Sequence, residues 1–87
     1  MVDRYMMYPM SVVEFSNELR KAVSDYKARL LSAAELEEIV LFWARNSPDK
    51  FFDGNDYKVT VKRVVGSRRM TVVDKILADS QMTFRGV

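Results

Sequence analysis

Tyr57 to Val65 reads Y-K-V-T-V-K-R-V-V, and the fold class turns on this stretch. Tyr57, Val59 and Val61 alternate with polar residues, and β-branched and aromatic residues favour strands. Preceded by Asp53-Gly54-Asn55-Asp56, the run would form the second strand of a hairpin spanning 50–62, giving an α+β domain. Yet Tyr57, Val61, Val64 and Val65 also fall on one face of a helix, which would make the domain all-α. Periodicity alone leaves both readings open.

The flanks are clearer. Gly66 breaks the chain and suits the positive φ at the end of a helix. Ser67 reads as the cap of a last helix, 68–78, with Met70, Val73, Ile76 and Leu77 on its inner side. Residues 80–87 have no clear periodicity and read as a frayed tail. On the other side, Asp53 to Asp56 is the strongest turn signal in the chain. A calcium loop of the EF-hand type needs alternating oxygen ligands and a Glu at the twelfth position, which do not line up here. Phe51 and Phe52 read as core residues. Ser47-Pro48 suits the start of a short helical turn, with Pro at its first position.

Further upstream lies the core element, Ser32 to Asn46. Leu36, Ile39, Val40 and Trp43 recur at i, i+3, i+4 and i+7, and Leu41, Phe42 and Ala44 widen that stripe. Ser32 and Glu35 have capping-box spacing, Glu37 and Glu38 add negative charge near the positive dipole end, and Pro48 ends the run. A helix so apolar in its second half must be covered on several sides, by its own chain or by a second copy.

The first helix begins at Ser11, where Ser11 and Glu14 repeat the capping spacing, and runs to about residue 30. Val12, Phe15, Leu19, Val23, Tyr26 and Leu30 form its inner face, with partners such as Asp25 and Arg29 on the outer one. The short link to Ser32 favours an antiparallel hairpin of helices. Residues 1–10, rich in Met and Tyr, read as an N-terminal arm that packs on the helices or docks a partner.

Eighty-seven residues make a single domain, 1–87, with a modest core. The longest apolar run, Ile39 to Ala44, is far short of the ~18 residues of a membrane span. The first ten residues lack an apolar signal-peptide region, so the expected location is the cytoplasm. The chain has no Cys and no His. Disulfides, thiol nucleophiles, zinc sites and histidine-based triads are thereby excluded. No cofactor is expected. A carboxylate enzyme would have to use Glu35, Glu37, Glu38 or the Asp53/Asp56 pair, and capping and turn roles explain those acids more simply. The expectation is a protein that is not an enzyme.

The net charge of +2 is unevenly placed. Residues 1–56 carry seven Lys+Arg against ten Asp+Glu, a balance of −3, whereas residues 57–87 carry seven against two, a balance of +5. Lys58, Lys62, Arg63, Arg68, Arg69 and Lys75 fall within eighteen residues. Arginines at a helix start oppose its dipole, and a bound phosphate on the free N–H groups would account for them. The competing account pairs Arg68 and Arg69 with the acidic start of the central helix at Glu35, Glu37 and Glu38. The joint is too tight for a DNA-reading helix-turn-helix, and no aromatic after Tyr57 lies among the basic residues. Non-specific phosphate contact is the nucleic-acid reading that remains.

The pattern Phe51-Phe52-Asp53-Gly54-Asn55-Asp56, then Gly66-Ser67-Arg68-Arg69, then Val73-Asp74-Lys75-Ile76-Leu77 resembles a family of small uncharacterised helical proteins of Gram-positive bacteria. The likeness runs from about Phe15 to Leu77. It implies a helix over Tyr57 to Val65 and a bacterial or phage setting, and no activity. The expectation is therefore an all-α bundle of four helices, 11–30, 33–46, 57–65 and 68–78. Its function reads as a binding module that contacts nucleic acid through the 58–75 surface. The alternative is a protein-interaction module or homodimer with no nucleic-acid ligand.

Overall fold

The computed structural model of the chain describes residues 5–80. Their order is α1 (Val12–Lys27), α2 (Ala33–Asn46), α3 (Pro48–Phe51), β1 (Phe52–Asp53), β2 (Asp56–Tyr57), α4 (Val59–Val65) and α5 (Ser67–Asp79). The domain is mainly α, as expected, with a fifth short helix and a very small hairpin besides. Of residues 80–87, read above as a frayed tail, Ser80 is the C-terminal cap of α5 and 81–87 lie outside the described residues.

The two competing readings of 57–65 divide the stretch between them. Asp53 to Asp56 does close an antiparallel hairpin, with Phe52 opposite Tyr57 and Asp53 opposite Asp56. Gly54 supplies the positive φ of 63° at the first loop position, where a two-residue hairpin of the II′ kind places glycine. The ladder then stops. The Lys58 N–H donates to the Phe51 carbonyl at 3.1 Å, and the Lys62 N–H already donates back to Lys58 at 3.1 Å. The helix thus begins at Val59 rather than Tyr57, and the hairpin spans 52–57 rather than 50–62. Burial explains why a Val-Thr-Val run is helical: Val61 and Val65, one turn apart, are both fully buried. Packing overrides a modest strand preference.

The first helix is shorter than its periodicity suggests. It stops at Lys27 because Arg29 takes a left-handed φ of 65°. The Arg29 N–H then donates to Tyr26 O at 3.0 Å and the Leu30 N–H to Asp25 O at 2.8 Å. This is a Schellman ending with arginine where glycine usually stands. α2 keeps its expected bounds, and both halves of the Ser32–Glu35 capping box are formed. Pro48 opens α3, the short turn its sequence suggested.

The buried side chains form one cluster centred on Trp43, Phe15 and Phe51. Phe15 meets Trp43 edge-on at 5.5 Å between centroids and Phe51 at 4.8 Å. α1 touches every other helix, but its principal partner is α4 rather than α2. The N-terminal arm is part of this packing. Tyr5 and Pro9 are buried, the Trp43 indole N–H donates to Met6 O at 3.2 Å, and Tyr8 lies edge-on to Phe42 at 5.4 Å. In the second half of α2, Val40, Trp43 and Ala44 are therefore buried within the chain, and Leu41 and Phe42 are partly buried.

Candidate functional site

The six basic residues singled out in the sequence are spread from the start of α4, across the Gly66 joint, to the middle of α5, and they do not share one role. Gly66 has φ 91° and lets α5 start immediately after α4 ends. Ser67, expected to cap α5, is instead its first helical residue; Gly66 takes the capping position and no side chain caps the helix. The reason is spacing, since a glycine turn leaves no extended residue at Ser67 from which a hydroxyl could reach back.

Arg69 is built into the fold. Its Nε donates to the Ser24 hydroxyl of α1 at 2.9 Å, and its Nη1 donates to the Val65 carbonyl in the last turn of α4 at 3.2 Å. A cation at the start of α5 is thus also a cation at the end of α4, where the dipole favours it. The expected alternative, pairing with the acidic start of α2, is not the arrangement Arg69 adopts.

Lys62 is exposed and bridges to Asp56 at the end of the hairpin, Nζ to Oδ2 2.6 Å. The Lys62 hydrogen bond, with a second from the Tyr57 N–H, holds the Asp56 carboxyl below its ordinary range. Lys58 stands half-buried at the start of α4. Arg63 and Arg68 are exposed, and neither forms a hydrogen bond or ion pair among the described residues. Lys75 stands two turns beyond Arg68 on α5, in a groove against the start of α2. Lys58, Lys62, Arg63 and Arg68 thus line α4 and the start of α5, Arg69 anchors the joint between the two helices, and Lys75 stands apart.

Three features were missed in the sequence. Ser24 carried no signal as the partner of Arg69, because a serine forty-five residues upstream is unremarkable without the fold. Val59, at 60% exposure, lies among the basic residues and gives the surface an apolar point. The third is a bond from the Tyr57 hydroxyl to the Asp74 carboxylate, which ties the hairpin to α5. Burial, and then the carboxylate, push the Tyr57 phenol well above its ordinary value. Two of the five acids weighed for catalysis have other occupations: Glu35 completes the capping box and Asp56 holds Lys62. Among the described residues no three His, Cys, Asp or Glu side chains converge as a metal site, and no helix is long and apolar enough to cross a membrane.

Fold and surface together define a class: a small, mainly helical domain with a basic joint between its last two helices. The model of a family described as "conserved hypothetical protein" matches residues 6–78, and the chain belongs to that family, a small one of Gram-positive bacteria. No curated protein and no solved structure matches.

Proposed function

We propose that the protein is a non-enzymatic binding module that contacts nucleic-acid phosphates through Lys58, Lys62, Arg63 and Arg68. The observation that carries this reading is the division of labour at the joint. Arg69 is tied to Ser24 and Val65, so the other four cations ride on a braced corner. Asp56 is the one carboxylate paired with any of them among the described residues. Cations carried on braced helices suit phosphate contact, which positions a protein on nucleic acid without reading sequence. The tight joint argues against a groove-reading helix, so the expected binding is non-specific in sequence.

The test is charge reversal at positions that do not support the fold, Arg63→Glu with Arg68→Glu. In a titration of labelled duplex DNA at low salt, this variant is expected to lose at least tenfold in affinity. Wild-type affinity in the double variant would remove the proposal. Reversal at Arg69 is unsuitable, because it would also break the α1–α4–α5 junction.

A further inference from the structure

A second surface lies in the groove that contains Lys75. It occupies about 440 Å³ between the last turn of α1, the first turn of α2 and the second half of α5. Its apolar floor is formed by the partly buried Val72 and Ile76 of α5 with the buried Leu36 of α2, and Tyr26, Ala33 and Ala34 complete the uncharged lining. Three charged groups stand on its rim: Glu37, Lys75 and Asp79. Although they share one groove, no two of them lie within ion-pair distance, and none forms a hydrogen bond among the described residues. Val72 and Ile76 remain only partly buried against the core.

A groove of this size falls in the range of specific binding sites, which join an apolar body to a few polar groups that fix orientation. It is too small to take a whole helix and large enough for one big side chain. The rim decides the rest. Two carboxylates against one ammonium leave a negative excess, so an apolar group carrying a cation is complementary and one carrying a carboxylate is not. We infer that the groove docks a segment of a partner protein, which sets one large apolar side chain on the Leu36–Val72–Ile76 floor. A neighbouring Lys or Arg of that segment meets Glu37 and Asp79, and Lys75 is left to donate to a peptide carbonyl. This site is separate from the basic joint and does not depend on it.

The experiment is selection of a randomised phage-displayed peptide library on the full chain, followed by NMR titration with the enriched peptides. Enrichment of Leu, Phe or Trp beside Lys or Arg is expected, with shift changes concentrated at residues 33–37 and 72–79. Glu37→Lys with Asp79→Lys exchanges exposed residues and should weaken those peptides at least tenfold. Single-tryptophan fluorescence checks that this variant is folded, and the neutral pair Glu37→Gln with Asp79→Asn provides a second, milder reading with an intermediate loss. The Arg63→Glu, Arg68→Glu variant should bind the same peptides as wild type, which separates this site from the phosphate surface. No enrichment, enrichment of acidic peptides, or equal binding to the charge-exchanged chain would overturn the inference.

Discussion

Where α4 meets α5, the Arg69 guanidinium donates to a carbonyl in the last turn of α4 and, through Nε, to Ser24 on α1. Its neighbour Arg68 points to solvent. Two adjacent arginines of the same sequence character therefore separate into a structural and a surface residue. Arg69→Met should cost about 1–2 kcal/mol, since it removes charged hydrogen bonds from a half-buried site. Arg68→Ala should stay within about 0.5 kcal/mol of wild type. Urea unfolding followed by the single tryptophan, Trp43, which is fully buried, measures both. Tyr57 gives a pH-dependent prediction. Its phenol is raised in the folded state by burial and by the Asp74 carboxylate. A raised value means that this stabilisation is complete below the unfolded-state value of 10.0 and is lost as pH climbs toward the folded one. Tyr57→Phe should lose about 1 kcal/mol at neutral pH and should also remove this component of the fall in stability above pH ~10. A variant as alkali-sensitive as wild type would show that Tyr57 does not carry that component. None of these partnerships was legible in the sequence, because Arg69–Ser24 and Tyr57–Asp74 join residues that only the tertiary fold brings together.

At the scale of elements, the helix ends separate what sequence can announce from what it cannot. Ser32 and Ser67 look alike as helix starts, yet Ser32 forms a full capping box and Ser67 caps nothing. Ser32→Ala should cost about 1 kcal/mol and Ser67→Ala close to nothing, a contrast that thermal denaturation of the pair would resolve. Equal losses would mean that the two helix starts are built alike. The end of α1 hides from sequence for the opposite reason: its left-handed residue is Arg29, in a position where glycine would have given the signal. Arg29→Gly relieves backbone strain of about 1–2 kcal/mol but gives back part of it as unfolded-chain entropy. A net gain of a few tenths to about 1 kcal/mol is expected, and a loss would imply that the Arg29 side chain supports the fold. α2 was readable in full because its capping box, apolar stripe and Pro48 all agree. α4 was ambiguous because its seven residues are too few for period to outvote propensity, and burial of Val61 and Val65 settled the matter.

Over the whole molecule, the basic residues of the second half take separate roles. The sequence groups these residues by spacing but does not show that Arg69 is internal, that Lys62 is paired, or that Lys75 lies in a separate groove. The self-association motive changes as well. The arm covers part of α2 through Tyr8 on Phe42 and the Met6 carbonyl on Trp43, a share of the shielding that the sequence alone would assign to a second copy. The two surfaces proposed here for partners are the basic corner at α4–α5 and the groove beside α2. The most direct test of the basic corner is fluorescence anisotropy of labelled duplex DNA and single-stranded RNA with the purified protein, over a series of salt concentrations. Four phosphate contacts predict that log K for duplex DNA falls with log salt at a slope of roughly −3 to −4, about a hundredfold between 50 and 200 mM. Absence of binding at low salt, or binding indifferent to salt, would contradict the account.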